Sequence, residues 1–302
     1  MILMLAYVAG QDLVGMVRNC GGKGYNSDSF LAGCESEYFG NYEHGAYYFQ
    51  LEPEAVSALK TASVVVLGHS RPMFALGTQS TRSFFDSRKI RYYLLGFRFA
   101  EGEIFAKSIL DRLDVRPRVL ILNVDNWFFA GYQSVEAADI APRKAHYIYK
   151  KFEQVTHKWI CSIWDQSGNY GICPDKNSLF RNRLNGEWDF SRFHGKNATG
   201  HPFQYDYSID QKLLDKQLKF GRFVLEHLDV RPECIILMTV PYPDAHLGTT
   251  LELANRLGVK AVVPRLEGLA TWDDSHLSAD SAEMYSQAFE REIETTVRAC
   301  VG

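Results

Sequence analysis

The chain has 302 residues, of which 46% are hydrophobic and 23% charged, and its formal net charge is −3. This length and composition are typical of one large globular domain, or of one domain with an elaborate insertion. The mildly acidic balance, without a basic run, makes nucleic acid a poor candidate for a partner. No apolar run approaches the roughly 18 residues that a membrane span needs.

The first sixty residues carry little regular pattern. The segment from Met1 to Ala9 is apolar, short and without a positive flank. It is either the remnant of a trimmed signal or anchor, or an ordinary packed segment. The following residues are rich in Gly, Asn, Ser and Tyr. We therefore expect a loop-rich lead-in over 1–60, with a short helix near 52–60, that either packs on the domain or trails as a linker.

Six cysteines bear on the redox compartment. Cys234 lies inside an apolar stretch, which predicts a buried free thiol. Two local pairs have spacings that allow disulfides in an oxidising compartment, and the pairs are Cys20 with Cys34 and Cys161 with Cys173. No C-x-x-C spacing occurs, so the cysteines do not indicate zinc, and we expect neither a metal nor another cofactor.

From residue 61 onward, apolar strands alternate with helices. The predicted strands cover 63–68, 90–95, 119–124, 234–240 and 259–263. The predicted helices cover 74–86, 101–113, 213–228, 249–257 and 281–299. The four consecutive apolar residues of 64–67, three of them β-branched, favour a strand buried on both faces. The alternation predicts a flavodoxin-like three-layer α/β/α sandwich around a five-stranded parallel sheet.

The alternation stops between about 130 and 209, apart from a helix predicted over 143–160. Such a stretch is too long for a plain connection, so we interpret it as an insertion after the third strand that shapes a pocket or lid. Arg181 and Trp188 in this insertion are candidate substrate contacts, as is Arg71 near the first strand. A structural role is the favoured alternative for each of them: packing or solvation of the insertion for Arg181 and Trp188, and an ion pair within the protein for Arg71.

Three residues have the chain order of a hydrolase triad. Ser70 directly follows the first predicted strand, where open α/β sheets bind ligands. Asp273 and His276 form a D-x-x-H spacing shortly before the last helix, so the carboxylate can fix the imidazole tautomer and stabilise the imidazolium. Taken singly, Ser70 could cap a helix and His276 could be structural. Their joint order and placement favour the catalytic interpretation.

Four blocks of sequence together resemble the SGNH (GDSL-type) hydrolase superfamily. They are Gly-His-Ser-Arg at 68–71, Gly96, Asp125 with Asn126, and Trp-Asp-Asp-Ser-His-Leu at 272–277. The last block is similar to bacterial extracytoplasmic SGNH-like proteins, which are often tethered by an N-terminal helix. The resemblance covers about 60–130 and 210–300. It implies an SGNH hydrolase fold over 61–300, an extracytoplasmic location, and tethering to a membrane through a missing N-terminal anchor.

The resemblance also implies roles for the triad. Ser70 would be the nucleophile, His276 the general base and Asp273 the carboxylate that orients it. The backbone N–H groups of Ser70 and Gly96 would form part of the oxyanion hole.

The third oxyanion donor is where the chain departs from the family, which has Asn at the position of Asp125. An ionised Asp125 cannot donate a hydrogen bond and would repel an oxyanion. Either Asn126 takes over, the two backbone donors suffice, or Asp125 has another task. His69 is a second departure, because the family usually has Asp or Ser before the nucleophile.

Two functions follow. The first is a serine esterase or O-acyltransferase that works through an acyl-enzyme on an O-acylated, commonly acetylated, carbohydrate; its expected partner is a small-molecule or glycan acyl ester. The second is a catalytically degraded SGNH-fold module that binds a glycan or a partner protein, which Asp125 and His69 favour. Geometry separates them: in a working site Ser70 Oγ lies within hydrogen-bond reach of one ring nitrogen of His276, and Asp273 contacts the other.

Overall fold

Strands and helices are numbered here in chain order. The computed structural model describes residues 30–34, 42–97, 103–126, 141–149, 151–152, 178–189 and 201–302. The strands are β1 (Phe30–Cys34), β2 (Val64–Gly68), β3 (Tyr92–Gly96), β4 (Val119–Asn123), β5 (Ser178–Asn182), β6 (Trp188–Asp189), β7 (His201–Pro202), β8 (Ile235–Met238), β9 (Lys260–Ala261) and β10 (Ala270–Thr271). The helices are α1 (Tyr42–Tyr48), α2 (Pro53–Thr61), α3 (Ser70–Leu76), α4 (Gln79–Ser87), α5 (Glu103–Leu113), α6 (Gln211–Glu226), α7 (Leu247–Leu257) and α8 (Ala279–Val301).

The centre of the fold is a five-stranded parallel sheet with strand order β3-β2-β4-β8-β9. Counted along the chain, these strands stand in the order 2-1-3-4-5, which is the flavodoxin-like doubly wound arrangement. Every residue of β2, β3, β4 and β8 is buried. The predicted α/β class and parallel sheet are therefore confirmed.

Both faces of the sheet are covered by helices. On β2, Val65 and Leu67 pack into the core formed with α1, α2, α5, α6 and α7. Val64 and Val66 point to the other face, where α3, α4 and α8 pack. This alternation is the two-residue period of a strand. Burying one such side chain contributes about 1.5–3 kcal/mol, so the apolar run of β2 stabilises both layers.

The strand order reverses at β2. The chain leaves β2, forms β3 on one side of it, and then crosses to β4 on the other side. A crevice therefore opens beyond the carboxyl end of β2, where doubly wound folds bind ligands.

The helix predicted over 74–86 is wrong as a single element, because two helices, α3 and α4, share this stretch. α3 begins earlier than predicted, at Ser70. Thr78 is extended and its side chain accepts a hydrogen bond from the amide of Thr81. This cap starts a second helix instead of continuing the first.

The described part of the lead-in belongs to the domain. Tyr47 of α1 is fully buried, and Val56 and Leu59 of α2 lie in the same core. The domain boundary predicted at residue 61 thus falls inside the packed unit. Both helices are short, with 7 and 9 residues, and neither shows a long apolar stripe. The sequence pattern therefore did not indicate which of their faces is buried.

The described part of the insertion closes an edge of the central sheet. β5 pairs with β1 and β6 in a separate three-stranded antiparallel sheet. The turn between β5 and β6 brings the carbonyl of Asn185 to the amide of Leu94 on the edge strand β3, 2.7 Å away. The next residue is Gly186, whose φ is +72° and where a Cβ would collide with the carbonyl oxygen of Leu94. Only glycine permits this approach. Within the predicted helix 143–160, residues 144–149 and 151–152 are helical.

Cys234 and Cys300 form a disulfide across 66 residues of sequence, so the prediction of a free thiol at Cys234 is wrong. The bond joins the start of β8 to the last turn of α8, and such a distant pairing leaves no local pattern. The pairings of Cys20 with Cys34 and Cys161 with Cys173 lie outside the residues whose side chains the structure describes.

The C-terminal helix α8 is amphipathic. Its buried side chains include Tyr285, Phe289, Ile293 and Val297, each four residues after the one before, as one helix face requires. Across all described segments, no helix is both long and apolar enough to cross a bilayer.

One carboxylate of α8 faces inward. Glu290 accepts hydrogen bonds from Thr81 Oγ1 at 2.8 Å and Ser80 Oγ at 2.5 Å, both on α4. Burial raises the pKa of Glu290 above its ordinary value, although the two hydroxyl donors oppose the effect. The folded protein therefore holds this proton more tightly than the unfolded chain does, and stability falls as the pH rises through the range in which Glu290 ionises.

We predict that replacing both cysteines, Cys234→Ser with Cys300→Ser, lowers the free energy of unfolding by about 4 kcal/mol. The reason is that the disulfide closes a long loop in the unfolded chain. Urea unfolding without reductant measures the loss, and mass spectrometry of a non-reduced digest checks the linkage. Equal unfolding midpoints for the wild type and the double variant would contradict this role.

We predict that Glu290→Gln raises the free energy of unfolding at neutral pH, because an amide keeps polar contacts without a buried charge. The gain should shrink as the pH falls and vanish near about pH 4, where the carboxyl of the unfolded chain is itself protonated. The matched control is Glu294→Gln on the same helix, because hydrogen bonding to Arg88 lowers the pKa of Glu294. That variant should lose stability at neutral pH. Urea unfolding across this pH range tests both, and a Glu290→Gln effect that does not change with pH would refute the argument.

Candidate active site

A tight turn places Ser70 in the crevice beyond β2. Strand β2 ends at Gly68, His69 is extended, and α3 begins at Ser70. A Cβ at position 68 would lie 2.6 Å from the ring of Pro72, so the turn requires glycine. The result is a half-buried serine hydroxyl at the carboxyl edge of the sheet.

The loop after β10 is built around Asp273. Its Oδ1 accepts hydrogen bonds from the backbone amides of Ser275 (3.1 Å) and His276 (2.7 Å). Asp274 adopts a left-handed conformation with φ 60°, and the amide of Trp272 bonds to the carbonyl of His276. Hydrogen bonds among its own residues therefore stabilise the conformation of this loop.

The two segments meet as the D-x-x-H spacing predicted. Ser70 Oγ lies 2.7 Å from His276 Nε2, and His276 Nδ1 lies 2.7 Å from Asp273 Oδ2. Partial burial would raise the pKa of Asp273, but the hydrogen bond and charge of His276 and the two amides lower it below its ordinary value. An ionised Asp273 holds the proton on Nδ1 and leaves Nε2 to accept the hydroxyl proton. The expected contacts are thus confirmed.

Two aromatic rings, which also contact each other, pack against the imidazole. Phe74 has its ring centroid 4.5 Å from that of His276, and Trp272 stacks on it at 5.8 Å. Sequence reasoning missed Phe74, although its position one helical turn after Ser70 places both on the same face of α3. The rings restrict the orientation of the imidazole.

Asp125, at the end of β4, is fully buried and ion-paired. Arg71 Nη1 donates to its Oδ2 at 2.7 Å, Asn123 Nδ2 donates at 3.1 Å, and His69 Nδ1 lies 3.3 Å from its Oδ1. Burial alone would raise the pKa of Asp125, but the charges and hydrogen bonds of His69 and Arg71 outweigh it and hold the pKa well below the usual range. This carboxylate accepts hydrogen bonds from buried donors and cannot serve as an oxyanion donor, which agrees with the alternative that Asp125 has another task.

Arg71 connects several parts of the site. Its Nε donates to the carbonyl of Ser275 at 3.2 Å, and its guanidinium lies 3.8 Å from the ring centroid of Tyr242. The side chain is 12% exposed. These contacts agree with the ion-pair role favoured for Arg71. Tyr242, missed by sequence reasoning, follows the proline that ends the β8 segment.

Arg181 and Trp188 are buried in the domain, so their prediction as substrate contacts is wrong and the packing alternative is confirmed. Arg181 is 0% exposed and donates hydrogen bonds to the carbonyls of Leu94 and Gly96. Trp188 is 6% exposed and lies over the same guanidinium. The turn between β5 and β6 contacts the edge strand β3, and the side chains of Arg181 and Trp188 are buried at this contact.

The proposed oxyanion residues lie at neighbouring strand ends. Gly96 ends β3 and pairs with Gly68 at the end of β2. A Cβ at position 96 would meet the side chain of Met73, so that position also requires glycine. Asn126 is half-buried directly after the β4 segment.

A second serine, histidine and aspartate cluster lies elsewhere on the surface. Ser208 Oγ and Asp206 Oδ2 lie 3.0 and 2.7 Å from the same nitrogen, His246 Nδ1. Because both contact one nitrogen, this cluster has no relay from carboxylate through imidazole to hydroxyl. Within the described ranges, no group of three His, Cys, Asp or Glu residues converges as metal ligands would.

Comparison with protein families, curated proteins and solved structures finds no match to this chain.

We predict that Arg181→Met lowers the free energy of unfolding by about 3 kcal/mol, because two buried strand carbonyls lose their donors. Arg298→Met is the matched control. Arg298 is 67% exposed and pairs with Glu294 on the same helix, so its loss should cost less than about 1 kcal/mol. Urea unfolding measures both. An Arg181 variant with wild-type stability would contradict the structural role.

Proposed function

We propose that this protein is a serine hydrolase of the SGNH type, either an esterase or an O-acyltransferase, that forms an acyl-enzyme on Ser70. The observation that supports the proposal most strongly is the continuous hydrogen-bonded series from Ser70 Oγ through His276 to Asp273. Each ring nitrogen of His276 contacts a different partner, Nε2 the serine and Nδ1 the aspartate. In the cluster around His246, by contrast, the serine and the aspartate both contact Nδ1.

The proposed chemistry follows from this series. His276 Nε2 takes the hydroxyl proton as Ser70 Oγ attacks the ester carbonyl, and Asp273 stabilises the imidazolium that forms. When the tetrahedral intermediate collapses, His276 returns the proton to the leaving alcohol. Water or a second hydroxyl, activated by the same His276, then attacks the acyl-enzyme and frees Ser70. Water gives an esterase and a sugar hydroxyl gives a transferase.

The negative charge on the carbonyl oxygen needs donors. We assign them to the backbone N–H groups of Ser70 and Gly96, with the Asn126 side chain as third donor. Losing one such donor typically costs about a hundredfold or more in rate.

For the substrate we propose an O-acyl, commonly acetyl, group on a carbohydrate, and for the location an extracytoplasmic compartment. The disulfide between Cys234 and Cys300 supports the location, since such bonds persist mainly in oxidising compartments.

The alternative, a degraded module that binds a glycan or a partner protein, depended on Asp125 and His69. Both side chains belong to the buried network around Arg71, where the charge of Asp125 is compensated. The repulsion expected between Asp125 and an oxyanion therefore no longer argues for a degraded site.

We predict that the purified protein hydrolyses p-nitrophenyl acetate and that a fluorophosphonate labels Ser70, as read by mass spectrometry. Ser70→Ala should lose both, because the hydroxyl activated by His276 is gone. Ser208→Ala is the matched control and should keep both, since Ser208 also contacts a histidine and an aspartate but without a relay.

The outcomes separate the candidates. Labelling at Ser70 supports an activated serine even if the enzyme accepts only one kind of acyl acceptor, because the fluorophosphonate reaction needs no acceptor. Turnover that persists in Ser70→Ala would place the nucleophile elsewhere. Absence of both labelling and turnover in the wild type would favour the binding module.

A further inference from the structure

We propose that the buried ion pair of Asp125 and Arg71 is a positioning element that holds the His276 loop against Ser70. Its consequence for rate depends on the proposed function, whereas its effect on geometry does not. Neither residue is assigned to the reacting atoms.

Arg71 is placed to connect the two halves of the site. Its backbone follows Ser70 directly in the first turn of α3, so it moves with the proposed nucleophile. Its Nε reaches across 204 positions of sequence to the carbonyl of Ser275, which directly precedes His276. One side chain therefore bridges the serine turn and the histidine loop.

The other side of the guanidinium is fixed by buried groups. Nη1 bonds to Asp125, whose carboxylate also accepts from Asn123 and faces His69. Asn123 is itself anchored, because its Oδ1 accepts a hydrogen bond from the amide of Val240 at 3.0 Å. The guanidinium is thus held, through Asp125 and Asn123, by residues at or just beyond the carboxyl ends of β4 and β8.

The shape of arginine suits this task. A planar guanidinium donates in two fixed directions at once, here toward Ser275 and Asp125, while its face lies on Tyr242. A lysine ammonium is a point charge on a flexible stem and does not reproduce this fork. The pair is also buried, so removing only Arg71 leaves the Asp125 charge without its arginine partner, with only His69 and Asn123 beside it.

The bonds inside the histidine loop do not depend on Arg71. The contact between Asp273 and His276 and the amide bonds to Asp273 are local to residues 272–276. Loss of the ion pair should therefore move the loop as a unit. The bond from His276 Nδ1 to Asp273 stays, and the bond from Nε2 to Ser70 is lost.

The first test reads this geometry without turnover. Nuclear magnetic resonance of protein labelled with nitrogen-15 histidine gives the two ring nitrogen shifts of His276, assigned with His276→Gln. Ser70→Ala defines the Nε2 shift in the absence of the serine contact. The variant of interest combines Arg71→Met with Asp125→Asn, which removes both charges and so avoids a lone buried carboxylate.

We expect the double variant to show the Nε2 shift of Ser70→Ala with the Nδ1 shift of the wild type. Arg71→Lys should behave in the same way. Arg265→Met is the matched control, because Arg265 also lies over a tyrosine, Tyr207 at 4.3 Å, but is exposed; it should leave both shifts unchanged. Wild-type Nε2 shifts in the double variant, or a change at Nδ1 as well, would overturn the proposal.

The second measurement is the rate of fluorophosphonate labelling at Ser70, which we expect to fall about a hundredfold in the double variant, as misplacement of reacting groups by about 1 Å typically causes. A wild-type labelling rate in that variant would overturn the positioning role. If the wild-type protein is not labelled at all, the proposed function fails, and the nitrogen shifts alone still decide the role of Arg71.

Discussion

A carboxylate that has lost its water must be compensated by nearby donors, and Asp125 imposes this requirement at the carboxyl edge of the sheet. Its side chain has no exposed surface and contacts Arg71, Asn123 and His69. The compensation fixes Arg71, and through Arg71 the loop that carries His276. The polar contacts beneath the candidate active site thus follow from the buried charge of Asp125. This residue lies just beyond the carboxyl end of β4, the middle strand of the sheet.

The sequence predicted features that local patterns encode. The run of β2 shows its burial in four consecutive apolar residues, and the contact of Asp273 with His276 follows from a spacing of three. The meeting of Ser70 with His276, 206 positions apart, was also predictable. Parallel strands leave their carboxyl ends on one edge, so topology brings these two segments together without any pairing signal in either of them.

Other features depend on partners that no local pattern identifies. Arg181 was a candidate substrate contact, and its burial is not expected from its residue type, because arginine is seldom fully buried. Its position follows from two carbonyls of a different strand. Asp125 looked like a damaged oxyanion donor because the family has Asn at its position. Its partner Arg71 stands 54 positions earlier, so no local pattern indicates the ion pair. The disulfide joins Cys234 to the last turn of α8, 66 positions later. In each case the deciding contact is long-range.

The insertion has a consequence for how the domain can be divided. β3 is an edge strand of the central sheet, and the turn at Asn185 and Gly186 covers it while Arg181 takes up its carbonyls. Exposed strand edges recruit other chains and promote aggregation. A shortened chain without residues 178–189 would present that edge to its neighbours. By covering the β3 edge, these residues remove a site at which the strand of another chain would pair.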